Sequence, residues 1–149
     1  MKTIIAAVDF SNATPSVTKQ AIEMAKAFGA TLELFHAVEP EPSYTAYGFT
    51  PDEFPAIYQF HEEARRRATL KLQEVLDSAL AVIPSVTSHL ADGSPLHLLL
   101  ERIEEKHADF VVVGSHGHGM IASLLLGSVA EGMVRKAPVP TLVVPVANE

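Results

Sequence analysis

Short runs of apolar residues alternate along the chain with longer segments in which apolar residues recur every three or four positions. The short runs cover residues 3–8, 31–38, 85–90, 110–113 and 141–146, and we interpret them as β-strands. The run at residues 110–113 is continuous, which is typical of a strand that is buried on both faces. The run at residues 85–90 is more polar, and an edge position in the sheet suits it.

The longer segments have the periodicity of amphipathic helices. The first opens with Thr14 as the predicted N-cap and Pro15 at the first helical position. A second spans residues 56–82, a third begins at Ser94 and the last begins at Gly127. The residues predicted to face the core in the first two helices are Val17, Ala21, Met24, Ala25 and Phe28, then Ile57, Phe60, Ala64, Ala68, Leu72, Val75 and Ala79.

Strands that alternate with helices indicate an α/β fold, a three-layer sandwich around a five-stranded parallel sheet. We interpret residues 1–149 as one domain. Ligands bind to such sheets beyond the carboxyl ends of the strands, where the strand order reverses. This rule indicates two places, Asp9 after the first strand and Gly114 after the fourth. The proline-rich stretch at residues 39–55 is unusually long for a connection, and such loops are often functional.

Composition narrows the choice of partner and compartment. The net charge of −7 argues against nucleic acid as a partner, because binding to the phosphate backbone needs a basic face. The one basic run, at residues 65–67, is interpreted as a solvated helix face. The sequence has no apolar run of the ~20 residues that a membrane span needs, no cleavage signal and no cysteine. We therefore expect a cytoplasmic protein without direct membrane insertion.

The segment from Gly114 to Ser128 carries the candidate chemistry. Gly114, Gly117 and Gly119 permit tight turns and leave backbone amides open to a closely approaching anion. The last helix begins at Gly127, and the unpaired N–H groups and the dipole of a helix N-terminus favour phosphate there. Two well-known phosphate motifs do not fit, because no lysine precedes Ser128 and no G-x-G-x-x-G sequence follows the first strand.

The segment does match the pattern G-x2-G-x9-G-[ST], with Gly114, Gly117, Gly127 and Ser128 at its fixed positions. This pattern resembles the ATP-binding branch of the universal stress protein family. The resemblance covers nearly the whole chain and implies a Rossmann-like sheet of strand order 3-2-1-4-5, similar to that of adenine nucleotide alpha hydrolases. The other matching segments are Val8-Asp9-Phe10-Ser11, Leu34-Phe35-His36-Ala37-Val38 and Ala137-Pro138-Val139-Pro140-Thr141-Leu142-Val143-Val144.

The resemblance also implies a role for each matched position. Asp9 would lie near the ribose or a phosphate-bound metal, and the backbone of Ala37 would hold the adenine edge. Ser128 would hold phosphate and, through it, Mg²⁺ or Mn²⁺. The implied ATP-binding residues are Ala7, Val8, Asp9, Ala37, Val113, Gly114, Gly117, His118, Gly119, Gly127, Ser128, Val129 and Ala130.

One position departs from the family's pattern. Position 118 is commonly basic in the family, whereas here it is His118, and the segment from Gly114 to Ser128 has no Lys or Arg. The charge of the phosphates must then be met by amides, the helix end, a divalent metal and protonated His118. The triphosphate is either held loosely or held with an affinity that depends on pH near the ordinary histidine pKa of ~6.5.

Several candidate side chains also have a purely structural interpretation. His36 is interpreted as a satisfied core histidine and His61 as a surface residue, while Ser128 can serve as a helix N-cap. His116 and His118 form an H-x-H pair, but no third ligand lies nearby in the sequence, which argues against a transition-metal site.

No nucleophile–base pair is recognisable near the glycine-rich segment, which favours a nucleotide-dependent regulatory protein over an enzyme. A slow ATPase that uses Asp9 and a divalent metal remains open, as does a module that binds AMP or cyclic AMP. The resemblance implies a role in the stress response or in regulating a partner protein, sometimes a transporter. It also implies a homodimer through the last strand, between Thr141 and Val146, and an unpaired hydrophobic edge strand would invite such association.

Overall fold

The computed structural model describes residues 1–39, 55–116 and 126–146. Within them, strands and helices alternate as the sequence predicts. The strands are β1 (Thr3–Ala7), β2 (Thr31–Val38), β3 (Val86–Asp92), β4 (Phe110–Gly114) and β5 (Thr141–Val144). The helices are α1 (Thr14–Phe28), α2 (Pro55–Leu80), α3 (Pro95–Lys106) and α4 (Ser128–Lys136).

The five strands form one parallel sheet of order β3-β2-β1-β4-β5, which confirms the predicted fold and strand order. The polar strand β3 lies at one edge, as predicted, and β5 lies at the other. The strand order reverses between β1 and β4, where Ile4 is paired with Phe110 and Ala6 with Val112. A crevice is expected beyond the carboxyl ends of these two central strands.

The two faces of the sheet bury separate apolar layers. Because successive strand residues point to opposite faces, Ile4 of β1 packs with Val17 of α1 and Leu72 of α2. The next residue, Ile5, packs on the other face with Leu99 of α3 and Met133 of α4. This alternation establishes the three predicted layers, with two helices on each side of the sheet.

Two predicted core residues are instead exposed. Phe28, at the end of α1, is 53% exposed, and Phe60, in the first two turns of α2, is 44% exposed. Both residues match the helical period, but each lies near the end of a helix, where the sheet no longer covers that face. The predicted core residues Ala21, Ala25, Leu72 and Ala79 are buried.

Two further features complete the description of the fold. Gly132 allows α4 to approach α3, because a Cβ at this position would lie 2.2 Å from a side-chain methyl of Leu96. Within the described ranges, no helix is both long enough and apolar enough to cross a membrane.

Candidate functional site

A cavity of about 370 Å³ opens at the carboxyl end of the sheet, a volume that falls in the range of small-molecule sites. It lies where the strand order reverses, as the rule for parallel sheets predicts. The ends of β1, β2 and β4 form its floor, and the starts of α1, α3 and α4 together with part of α2 form its walls. The residues that line it are Ala7, Val8, Asp9, Ala13, Thr14, Val17, Phe35, His36, Ala37, Val38, Glu39, Ala64, Ala68, Pro95, Leu99, Val113, Gly114, His116, Gly127, Ser128, Val129 and Ala130.

The structure brings the predicted site residues together around this one cavity. Three segments far apart in the sequence contribute to it, and each arrives at the end of a strand or the start of a helix. The predicted residues that line it are Ala7, Val8, Asp9, Ala37, Val113, Gly114, Gly127, Ser128, Val129 and Ala130. Gly117, His118 and Gly119 lie outside the described residues, and their assignments stay predictions.

Asp9 organises the turn that leads from β1 into α1. Its Oδ1 atom accepts hydrogen bonds from the amide of Ser11 at 3.0 Å and from the Ser11 hydroxyl at 2.6 Å. The Ser11 hydroxyl in turn accepts from the amide of Ala13 at 3.2 Å, and Ala13 is the N-cap of α1. Asp9 therefore has a structural role in the turn before α1, and it lines the cavity as well.

The residue after Asp9 has an unusual backbone conformation. Phe10 has a φ of 63°, in the left-handed region that bulky residues rarely adopt. Its ring lies against the imidazole of His36, with 4.2 Å between the ring centroids, and Lys71 Nζ lies 5.9 Å from the centroid of the phenyl ring. These contacts hold the strained turn at the rim of the cavity.

His36 links β2 to the end of β1. Its Nδ1 atom lies 2.7 Å from the carbonyl oxygen of Val8, and because that oxygen only accepts, Nδ1 carries the proton. Burial lowers the pKa of His36, opposed in part by the hydrogen bond to Val8 and by the negative charges of Asp9 and Glu39. The predicted satisfied histidine is confirmed. The same ring also lines the cavity, which the sequence analysis did not anticipate.

Gly114 is the last residue of β4, and its role differs from the tight turn that we predicted. Its φ is not in the left-handed region, so the backbone itself does not require glycine. A Cβ at this position would instead lie 3.3 Å from the Cβ of Ala13, 3.5 Å from a methyl of Val17 and 3.4 Å from the carbonyl oxygen of His116. Glycine therefore allows the first turn of α1 to pack closely against the end of β4.

Backbone hydrogen bonds fix Ser115, just after β4, and Gly127, just before α4. The amide of Gly127 donates to the carbonyl oxygen of Ser115 at 2.7 Å, and the amide of Ser115 donates to Val144 at 2.8 Å. The Gly127 amide is therefore already bonded, contrary to the expectation that it is open to an anion. The first bond of α4 runs from Glu131 to Gly127, so the amides of residues 128–130 have no acceptor within the helix.

Ser128 is the first residue of α4 and not its N-cap. Gly127 occupies the cap position with an extended backbone, and the helix has no side-chain cap bond. The alternative interpretation of Ser128 as a capping residue is therefore wrong. Its hydroxyl lines the cavity beside the positive end of a helix dipole, where anions are favoured.

The charge of the described cavity lining is unusual for a site that would take a phosphate. Asp9 and Glu39 contribute carboxylates and His36 and His116 contribute imidazoles, but none of the described lining residues is Lys or Arg. In the described part of the chain, no three His, Cys, Asp or Glu residues are grouped to hold a metal ion. His116 has a local partner, because its Nδ1 atom lies 3.2 Å from the hydroxyl of Ser115.

Two helices line the cavity through residues that the sequence analysis did not assign to it. Ala64 and Ala68 of α2 and Pro95 and Leu99 of α3 form apolar walls. Helical spacing identifies these residues as inward-facing but does not distinguish a cavity wall from the core. Thr14 was also missed, since a threonine before a proline was interpreted as an N-cap.

Two residues that the sequence analysis placed on the surface connect α2 to the sheet. Arg65 forms an ion pair with Asp92 at the end of β3, and Nε2 of His61 lies 3.3 Å from a carboxylate oxygen of the same residue. Arg66 pairs with Glu63 at 2.5 Å on the exposed face of the helix. The solvated-face interpretation therefore holds for Arg66, and Arg65 also meets Asp92 at the exposed surface. His61, interpreted as a surface residue, is partly buried, with its side chain 21% exposed. These contacts keep the helix wall in place at the carboxyl edge of the sheet.

Comparisons with known proteins show the family of this chain. A model of the universal stress protein family matches residues 1–145. The chain is 33% identical over 145 residues to a universal stress protein from Thermus aquaticus, covering 96% of this chain and 98% of that protein. It is 26% identical to a universal stress protein solved in complex with cAMP, with a TM-score of 0.68 and 98% of each chain covered. A universal stress protein from Archaeoglobus fulgidus, solved in complex with dAMP, has the same fold at 22% identity, with a TM-score of 0.70 and coverage of 97% and 98%.

Proposed function

This chain belongs to the universal stress protein family, and we propose that it is an ATP-binding regulatory protein of the stress response. In this proposal ATP occupies the cavity at the carboxyl end of the sheet, and a partner protein recognises the nucleotide-bound state. The observation that carries the proposal is the convergence of three strand ends and three helix N-termini on that cavity. This is the arrangement in which parallel α/β sheets bind nucleotides.

The apolar half of the cavity suits a nucleoside. Ala37 and Val38 end β2 on one side, and the backbone of Ala37 would hold the adenine edge. Ala64 and Ala68 contribute only methyl groups from α2 and leave room for a planar base. Val113 and Gly114, at the end of β4, would flank the ribose. Binding sites of this kind combine apolar walls with a few polar groups that orient the ligand.

The polar half suits phosphate that carries a divalent cation. The amides of residues 128–130, which have no acceptor within the helix, and the dipole of α4 favour an anion beside Ser128. The described lining holds two carboxylates and no Lys or Arg, so phosphate alone would meet unfavourable charge there. We propose that Asp9 and Ser128 contact Mg²⁺ or Mn²⁺ through the phosphates. When bound, the metal would neutralise the charge of the phosphates, and the repulsion between the Asp9 carboxylate and the phosphates would be replaced by attraction to the cation.

We also propose a homodimer through the last strand, between Thr141 and Val146. In support, β5 is an edge strand with Leu142 and Val143 only partly buried. Parallel sheets seldom leave an apolar edge open to water, because its unpaired backbone groups can pair with another chain. The nucleotide state would then be displayed to the regulated partner on a two-subunit surface.

AMP or cyclic AMP is the alternative ligand, and the charge of the cavity favours it. A monophosphate carries less negative charge than ATP into a lining whose described residues include no Lys or Arg. The 26%-identical relative solved with cAMP supports the same alternative. In both cases the adenine and ribose contacts would be the same, and only the phosphate contacts would differ.

The test is to purify the protein without added nucleotide, denature it, and identify any released nucleotide by mass spectrometry. Calorimetric titration with ATP, AMP and cyclic AMP follows, each with and without Mg²⁺. Retained ATP, or metal-dependent ATP binding tighter than AMP binding, would support the proposal. Tighter binding of AMP or cyclic AMP without metal would establish the alternative, and the absence of all binding would refute both.

Phosphate release from Mg²⁺–ATP, measured on the same preparation, separates the regulatory protein from the slow ATPase considered above. The matched control is Asp9→Asn, which keeps the side-chain oxygen that accepts from Ser11 and removes the charge. If the parent protein releases phosphate steadily above background and Asp9→Asn releases it more slowly, the protein hydrolyses ATP. The rate of hydrolysis would then set how long the ATP-bound state lasts.

A further inference from the structure

We propose that the hydroxyl group of Thr14 is a phosphate-binding group that donates a hydrogen bond to a phosphate oxygen of the bound nucleotide. This inference rests on the proposed adenine-nucleotide function and deepens it. It adds a contact from the start of α1, which is separate from the glycine-rich segment between Gly114 and Ser128. Thr14 is the first residue of α1 and lines the cavity.

The Thr14 hydroxyl has no hydrogen-bond partner among the residues that the structure describes. The residue is 7% exposed, and its Oγ1 atom is the one buried side-chain oxygen or nitrogen without a hydrogen bond in the described part of the chain. Buried hydroxyls are nearly always bonded, because losing water without a replacement partner costs free energy. Thr18, one turn later and 9% exposed, follows this rule and donates to the carbonyl oxygen of Thr14 at 2.7 Å.

Turning the Thr14 hydroxyl toward the cavity would break no hydrogen bond among the described residues. Rotation about the Cα–Cβ bond of a threonine exchanges its hydroxyl and methyl groups between staggered positions. Because Oγ1 has no partner, this rotation forfeits no hydrogen bond at Thr14. The N–H of Thr14 donates to Ser11 at 3.1 Å and its carbonyl accepts from Thr18, so the backbone around the side chain is held in place.

Two helix N-termini make phosphate the best ligand for this hydroxyl. Thr14 and Ser128 occupy the same place in their helices, the first residue of α1 and of α4, and both line the cavity. The start of α1 also packs against the end of β4, since a Cβ on Gly114 would lie 3.3 Å from that of Ala13. With no Lys or Arg in the described lining, these two hydroxyls add to the backbone amides at the start of α4 as donors for an anion.

The experiment compares Thr14→Val with Thr18→Val. Both variants remove a hydroxyl from a buried threonine of α1 and preserve its shape, but Thr18 is not part of the cavity lining. Thr14→Ser restores the hydroxyl without the methyl, and Thr14→Ala rules out crowding by a valine methyl. Calorimetry measures the affinities for ATP, AMP and adenosine, and urea denaturation without ligand measures folding.

We expect Thr14→Val and Thr14→Ala to bind ATP and AMP at least about tenfold more weakly, the loss typical of one hydrogen bond to a charged group. Adenosine affinity should be unchanged, and Thr14→Ser and Thr18→Val should stay within about threefold of the parent for all three ligands. The urea midpoint of Thr14→Val should equal or exceed that of the parent, because an unpartnered hydroxyl is removed.

Three results would overturn the inference. If Thr14→Val binds AMP and ATP like Thr18→Val, the hydroxyl does not contact the ligand. If adenosine binding weakens equally, the hydroxyl contacts the nucleoside and not the phosphate. If the parent protein binds no nucleotide, the proposed function fails and this inference fails with it, whereas the first two results leave the proposed function intact.

Discussion

Arg102 of α3 holds the carboxylate of Glu33 of β2 through two parallel hydrogen bonds, Nε to Oε1 at 2.7 Å and Nη2 to Oε2 at 2.8 Å. Glu33 lies on β2, between β1 and the edge strand β3, and is 4% exposed, so its charge is almost completely removed from water. The planar guanidinium matches the carboxylate geometry, and Nη1 also bonds Glu105 at 3.2 Å. This ion pair fixes α3, a wall of the cavity, against β2.

We predict that Arg102→Met destabilises the protein by about 3 kcal/mol, because it leaves the Glu33 charge buried and unpaired. The double variant Glu33→Leu/Arg102→Met should lose much less stability, because an apolar pair of similar volume leaves no unpaired charge in the interior. Urea denaturation at pH 7 measures both free energies of unfolding. Equal losses in the single and double variants would show that the pair is not coupled in this way.

We predict that Gly114 tolerates alanine better than valine. A Cβ at this position already lies 3.3 Å from the Cβ of Ala13, so alanine needs only a small adjustment. The additional methyls of valine would separate α1 from β4, at a cost of about 1–3 kcal/mol. Unfolding measurements should show this graded loss, and nucleotide affinity should fall in the same order. A valine variant as stable as the parent would contradict the close packing of α1 on β4.

Ser128→Ala should separate ligand binding from stability. Since Gly127 is the N-cap and the helix has no side-chain cap bond, removal of the hydroxyl should change the free energy of unfolding by less than about 0.5 kcal/mol. Nucleotide affinity should fall about tenfold, as expected for one lost hydrogen bond to a charged phosphate. Ser16→Ala, at an exposed position in the first turn of α1, is the matched control. If Ser128→Ala loses stability but keeps its nucleotide affinity, the Ser128 hydroxyl stabilises the fold and does not bind the ligand.

The sequence predicted the features of the fold that follow from periodicity and from chain order. The continuous apolar run in β4 and the polar run in β3 identified a central and an edge strand, because burial on each face selects the residues directly. Phe28 and Phe60 fit the helical period equally well, but their exposure depends on where the sheet ends, which no local pattern encodes. The ion pair between Glu33 and Arg102 was also not predicted, because the two residues are 69 positions apart and only the fold brings them together.

The candidate site was predictable where a motif carried it. Gly127 and Ser128 were found through the spacing of small residues before a helix, and Asp9 through its place after a strand. Thr14 was not, because a threonine before a proline favours an N-cap. That prediction is wrong: the structure places the N-cap at Ala13 and makes Thr14 the first helical residue, ahead of Pro15. His36 was correctly interpreted as bonded, but a hydrogen bond on Nδ1 does not reveal that the ring borders a cavity.

Acid should destabilise this protein through His36. In the unfolded chain an imidazole titrates near pH ~6.5, whereas burial lowers the pKa of His36 in the folded protein. Below pH 6.5 the unfolded state therefore binds more protons, and the free energy of unfolding falls as the pH decreases toward the folded pKa. Above pH 6.5 the imidazole is neutral in both states, and its contribution is constant. The pKa of His89 is lowered as well, chiefly by burial and also by the positive charge of Arg102, so it acts in the same direction.

We predict that His36→Asn flattens the dependence of unfolding free energy on pH between 7 and 5. Asparagine places an N–H donor where Nδ1 lies, so the hydrogen bond to Val8 can be retained while the titrating group is removed. His107→Asn is the control, because His107 is exposed and its left-handed backbone, with a φ of 50°, is one that asparagine readily adopts. Urea denaturation at half-unit pH steps measures all three proteins. If His36→Asn and His107→Asn lose stability in acid as steeply as the parent, His36 is not a source of the pH dependence.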